Sequence, residues 1–185
     1  MTLRLLTPRL ELIAGTIELA QAEIASPASL ARLLEAPTPD AWPPPLNDAQ
    51  SQQVFLDALQ KASPADVGWT LWYCLRRDPR ALVGVAGFKG PPQNGVAEIG
   101  YSMLEAHQRN GYCTEAVRAL LAWAFEHSGV HTIIGHTLPA LAPSIRVMEK
   151  CGFVFGGSGP LEDGVQAVRY EFTFTGNNKK EGLSS

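Results

Sequence analysis

The sequence predicts an α+β (mixed α/β) single domain, and three observations carry that prediction. Two β-rich runs, "GWTLWYCLRR" and "ALVGVAGFKG", are parted only by a short turn at Asp78-Pro79-Arg80 and read as a hairpin. A third run, "VAEIGYSML", stands directly before the best helix of the chain. After that helix the order becomes strand, helix, strand, strand, so hairpins dominate early and alternation follows.

The elements follow in order. "LRLLTPRLELIAG" places leucines in partial alternation and reads as a first strand. From Thr16 to Glu35 an Ala- and Leu-rich stretch predicts helix, interrupted at Ser26-Pro27 because proline belongs in a first turn. "APTPDAWPPPLND" surrounds Trp42 with Pro39, Pro43, Pro44 and Pro45, which exclude regular helix or interior strand and predict a stiff surface loop. Asn47 or Asp48 can cap the next helix, whose apolar face includes Val54, Phe55 and Leu59. The hairpin comes next, then a turn at "PPQNG" and the third strand. Val117, Leu120, Leu121, Ala124 and Phe125 recur at helical spacing. "HTIIGHTL" reads as a strand, and "APSIRVMEKCG" as a helix ended by Gly152. "FVFGG" and "AVRYEFTFT" read as closing strands, and "GNNKKEGLSS" as a tail with little to bury.

Bulk properties narrow the function classes. At 185 residues the chain suits one domain with a substantial core, and its 45% hydrophobic content is ordinary for a globular protein. A net charge of −3 argues against nucleic acid as the main partner. No apolar run approaches the roughly 20 residues needed to span a bilayer, and "MTLRLLTPRLELIAGT" has no signal-peptide core. Cys74, Cys113 and Cys151 lack metal-like spacing and cannot all pair, which suits a reducing cytoplasm and no bound metal.

The stretch "HQRNGYCTEAVRALLAWAFEHSGV" puts one glycine among polar residues at a helix start. Asn110 or Thr114 can serve there as an ordinary cap. Alternatively, Gly111 lets several backbone N–H groups face a bound anion, where the helix dipole favours negative charge.

With its flanks, this stretch resembles a known family. "AEIGYSMLEAHQRNGYCTEAV" followed by "PSIRVMEKCGF" resembles the GNAT superfamily of acetyl-CoA-dependent N-acyltransferases, and "TPRLELI" is similar to its RimJ/RimL-like branch. The similarity is specific from about Ala81 to Thr175. It implies a GNAT domain over residues 1–175, with a mostly antiparallel twisted sheet of about seven strands and about four helices, splayed in the middle for the cofactor. The family's Gln/Arg-x-x-Gly-x-Gly/Ala loop here reads Gln108, Arg109, Asn110, Gly111, Tyr112 and Cys113, and it implies pyrophosphate binding by their main chain. Cys113 replaces the usual Gly or Ala. The pantetheine arm would run beside the main chain of Tyr101, Ser102 and Met103, with the strand carrying His136 splayed away.

The resemblance also implies direct transfer of acetyl from acetyl-CoA to an amine, a protein N-terminus or a small molecule. Such transfer needs a neutral amine, a stabilised oxyanion and a protonated leaving thiol. Glu98 is the first candidate base, with positioning of a cationic amine as the alternative. His136 is the second, because imidazole titrates in the useful range. Where many relatives use a tyrosine as the acid, this chain has Met148. Ser144, one turn earlier, resembles the serine of the branch's Asn-x-x-Ser pattern, which implies a proton donor to the thiolate and a cofactor contact, with a helix cap as the alternative. Leu141 stands where the branch places asparagine. Trp42 and Trp72 are candidates for the acceptor pocket. Rival readings are a non-catalytic acyl-CoA-binding module and a cysteine enzyme using Cys113, whose position at a helix start predicts a lowered pKa. Monomer and homodimer both remain open.

Overall fold

The computed structural model describes residues 2–127, 129–161 and 164–174. Its strands are β1 (Arg4–Leu6), β2 (Leu10–Ala14), β3 (Leu71–Arg77), β4 (Arg80–Phe88), β5 (Val96–Met103), β6 (Thr132–Thr137), β7 (Val154–Pro160) and β8 (Gln166–Thr173). Its helices are α1 (Ile17–Ala25), α2 (Pro27–Leu34), α3 (Ala49–Lys61), α4 (Tyr112–Ala124) and α5 (Ala142–Lys150). The strands form one sheet in the order β1-β2-β3-β4-β5-β6-β8-β7. Every pairing is antiparallel except β5 with β6.

Two elements divide more finely than expected. The opening strand is a hairpin, because Thr7 turns the chain: its N–H donates to the Leu10 carbonyl (2.9 Å) and its hydroxyl accepts from Leu10 N (2.9 Å). The first helical stretch is two helices, with Ser26 ending α1 and capping α2 ahead of Pro27. Residues 176–185, expected to form a tail, lie outside the described residues.

Both faces of the sheet are covered. On one face Leu10, Leu12, Trp72, Cys74, Ala97 and Ile99 pack with Val117, Leu120 and Leu121 of α4 and Met148 of α5. On the other, Ile13, Leu71, Tyr73 and Leu75 pack with Leu19 of α1, Leu30 and Leu34 of α2, and Trp42. The alternation along β3 is the two-residue period of a strand, and burial on both faces makes its core an unbroken apolar run.

One carboxyl group lies inside the second layer. Glu23, 5% exposed, accepts from Trp42 Nε1 (2.9 Å) and Asn47 Nδ2 (2.8 Å) at one oxygen and from the Tyr73 hydroxyl (2.8 Å) at the other. It ties α1, the proline loop and β3 together with neutral donors. Burial raises its pKa against the opposing pull of those hydrogen bonds. A raised folded-state pKa means that stability falls as pH climbs from the ordinary carboxylate range through the folded value. Glu23→Gln retains an acceptor oxygen, so its stability relative to wild type should improve across that window. Glu23→Ala strands the donors and should cost about 3 kcal/mol. Denaturant melts at several pH values check both.

Candidate active site

The sheet opens at its middle. β5 and β6 pair only at Val96↔Thr132, Ala97↔Ile133 and Glu98↔Ile134. Beyond that apex, β5 continues through Gly100–Met103 with no partner strand on its β6 side, while β4 pairs its other edge through Met103. The open stretch from Glu98 to Met103 is about 17 Å long. Gln108 Nε2 donates to the Met103 carbonyl (3.1 Å), fastening the following loop to the mouth of the cleft.

At that mouth lies the start of α4. Helices α1, α2 and α3 are capped by the side chains of Thr16, Ser26 and Asp48, but α4 has no side-chain cap. Its N-cap is Gly111 at φ 80° and ψ 0°, and Arg109 is also left-handed at φ 62°. The Asn110 amide donates to the Gln108 carbonyl (3.0 Å) instead of capping the helix, and Thr114 does not cap it either. Among the described residues, none accepts from the backbone N–H groups of 109–114; the first bond of the helix is Glu115 N to Gly111 O (3.0 Å). The result is a row of donors at the positive end of a helix dipole, a site suited to phosphate.

At the apex, Glu98 Oε1 lies 2.5 Å from Lys89 Nζ and 3.0 Å from His136 Nδ1. His136 Nδ1 is buried and has no aligned hydrogen-bond partner. Ile99 and Ile133 belong to the α4–α5 core, so by alternation Glu98 and His136 face the opposite side of the sheet. Across the cleft from β5, Ser144 is the third residue of α5. The N-cap there is Leu141, so Ser144 is not the cap. The Tyr101 hydroxyl donates to the Ser144 carbonyl (2.9 Å) and lies 3.2 Å from its Oγ. Burial, partly offset by the Ser144 bond, holds the Tyr101 phenol far above its ordinary pKa, so it stays protonated.

A family model for the acetyltransferase (GNAT) domain matches residues 10–154. The chain belongs to the GNAT family. Among curated relatives, it is 35% identical over 88 residues to YjdG of Bacillus subtilis, named an uncharacterized N-acetyltransferase, across 47% of this chain and 52% of that one. YoaA of the same organism, also named an uncharacterized N-acetyltransferase, is 32% identical across 44% and 47%. The chain thus spans about half the length of the curated relatives it matches. Its fold is shared by RimL, the ribosomal L7/L12 α-N-protein acetyltransferase, solved with coenzyme A (TM-score 0.66, 17% identity, 91% of this chain and 96% of that one). It is also shared by the microcin C7 self-immunity acetyltransferase MccE, solved with acetyl-CoA and AMP (TM-score 0.64, 15% identity, 91% and 94%).

Within this GNAT domain the sequence-derived residues divide. At the opening between β5 and β6, Glu98 and His136 lie together at the apex on one face of the sheet, while Tyr101 meets Ser144 on the α4–α5 face and Gln108 fastens the 108–113 loop to Met103. Trp42 and Trp72 lie elsewhere. Trp42 is 6% exposed and bound to Glu23, while Trp72 is fully buried, donates to the Gly68 carbonyl (2.7 Å) and packs edge-on to Trp123. Both are core residues here, not walls of an acceptor pocket. Met148 is also core, 1% exposed, with its sulfur filling the space a Gly135 side chain would need.

The Cys113 thiol runs opposite to the lowered pKa that a nucleophile would need. Burial, reinforced by Cys74 and Cys151, pushes it well above the ordinary value. Cys113→Ala should retain turnover; loss of activity with the fold intact, in a steady-state assay, would restore the thiol to the chemistry. The Tyr101 hydroxyl bond was not legible in the sequence, since a strand tyrosine ordinarily packs in a core. Only the position of α5 brings Ser144 to it. Among the described residues, no cluster of three or more His, Cys, Asp or Glu side chains could hold a metal. No helix of the described residues is long and apolar enough to cross a membrane.

Proposed function

We propose that this GNAT protein is an acetyl-CoA-dependent N-acetyltransferase that moves acetyl directly to a primary amine in a ternary complex. The observation that carries the reading is the left-handed, uncapped start of α4 at the mouth of a cleft whose apex holds a carboxylate. The pyrophosphate of acetyl-CoA fits the N–H row of 109–113, and the pantetheine arm fits the unpaired edge of Gly100–Met103 as an added strand. That orientation directs the thioester toward the apex.

Glu98 is the base in this reading. Lys89 Nζ, already against Glu98 Oε1, marks where an acceptor ammonium would sit. Because the Lys89 side chain is 60% exposed, an incoming amine can displace it. Glu98 accepts the proton of the amine, and the freed nitrogen attacks the thioester carbonyl. A main-chain N–H near Tyr101–Met103 steadies the oxyanion. When the C–S bond breaks, the second proton of the attacking nitrogen passes by way of the Ser144 hydroxyl to the departing sulfur, so the serine ends protonated, with the Tyr101 phenol beside it. His136 Nδ1 lies 3.0 Å from the same carboxylate oxygen and is the second candidate base. The acceptor class includes protein N-terminal amines, on which RimL acts by its name, and small amines; the net charge of −3 favours a cationic acceptor.

Calorimetric titration with acetyl-CoA, followed by a thiol-release assay across peptides and small amines, tests the proposal. Saturable binding and turnover are expected. Absence of binding to folded protein would reject it, and tight binding without turnover on any amine would favour a binding module.

A further inference from the structure

The arginine of the opening "TPRL" segment reaches far from its own hairpin. Arg9 sits in the turn between β1 and β2, yet its backbone N–H donates to Glu115 Oε1 (2.9 Å) and its Nε to Glu115 Oε2 (2.7 Å). Its Nη2 also pairs with Oε2 (2.7 Å), and the Thr7 hydroxyl completes the set at Oε1 (2.6 Å). Arg9 Nη1 donates to the Asn110 carbonyl (2.9 Å), and the guanidinium lies 4.9 Å over the Tyr112 ring. A side chain at Gly111 would meet Arg9 Nη2 at 3.2 Å. One side chain therefore touches or borders residues 110, 111, 112 and 115.

Glu115 makes this arrangement necessary. It is the fourth residue of α4, one turn from the donor row. An acidic side chain in a first turn stabilises an empty helix, but it opposes an arriving anion. Despite the burial that works against ionisation, bonds from Thr7 and Arg9 hold its carboxyl below the ordinary range, so it is charged at neutral pH. The Glu115 side chain is 15% exposed, and that of Arg9 is 50% exposed, so salt screens the pair in part.

We propose that Arg9 is a positioning residue for the donor substrate: it cancels the Glu115 charge beside the phosphate site and, through the Asn110 carbonyl, holds the loop with its N–H groups outward. This rests on the acetyl-CoA reading above. It extends the site to a hairpin about a hundred residues earlier in the chain. A staple with a purely structural role would instead join β1–β2 to α4 and leave affinity for the donor untouched.

The two roles separate by double substitution. Arg9→Ala leaves Glu115 uncompensated and should weaken acetyl-CoA binding about tenfold, more at low salt, with kcat at saturating donor within about threefold. Adding Glu115→Gln removes the stranded charge and should recover part of the lost affinity, the remainder being the loop contact through the Asn110 carbonyl. Calorimetry and steady-state kinetics on wild type, both single variants and the double variant read these outcomes. If Arg9→Ala does not fold, Arg9→Gln carries the same comparison. No saturable binding by wild type would remove the acetyl-CoA reading itself, and this inference with it. Wild-type binding with Arg9→Ala unchanged, or with the double variant no tighter than Arg9→Ala, would overturn the inference alone.

Discussion

Gly111→Asp is expected to abolish saturable acetyl-CoA binding in a calorimetric titration, a loss of at least about a hundredfold. Two effects act together. At φ 80° the backbone is left-handed, which costs a non-glycine residue about 1–2 kcal/mol. The larger effect is substitution of one anion for another. A carboxylate at the N-cap would accept from the very N–H groups that the phosphate needs and would repel whatever anion approached. Gly111→Ala isolates the first effect and should weaken binding by about tenfold, because its methyl group adds only conformational cost and a 3.2 Å approach to Arg9 Nη2. Equal binding by wild type and Gly111→Asp would mean that phosphate is held elsewhere.

The second large effect is expected at Glu98. Glu98→Gln keeps the shape of the side chain and one acceptor oxygen, but it cannot take a proton. The turnover rate at saturating acetyl-CoA should drop by about 10²–10³, while the dissociation constant for acetyl-CoA changes little, since Glu98 lies at the apex and the phosphate row at the mouth. The ion pair with Lys89 is lost in the same variant, so Lys89→Met serves as a control that removes the pair without removing the carboxylate. A Glu98→Gln enzyme with the wild-type rate at every pH would reject Glu98 as the base and leave His136 as the remaining candidate.

Local chemistry made most of the scaffold legible. The prolines around Trp42 excluded regular structure, Ser26-Pro27 marked a break, and the short turn at Asp78-Pro79-Arg80 marked the β3–β4 hairpin. Gly111 was readable because a glycine among polar residues at a helix start gives the backbone access to positive φ and close approach by an anion, and the flanking motifs favoured that reading over an ordinary cap. Some features could not be read from spacing. The Thr7-Pro8-Arg9 turn was short enough to pass as part of one strand. Trp42 and Trp72 are alike as symbols, and only packing against Glu23 and Trp123 reveals that both are used up in the core. Cys113 carried the signal of a helix terminus, but burial reversed the direction of its pKa.

The order of elements, the glycine turn before α4 and the residue types available for chemistry are local properties of the chain, because turn geometry, capping and hydrophobic period act over a few neighbours. Tertiary structure alone decided where β5 and β6 part, which carboxylate faces which histidine, and that Tyr101 meets Ser144. It also alone placed Arg9 against Glu115. These contacts join residues tens to a hundred positions apart, and their geometry is set by how two packed layers close on one sheet.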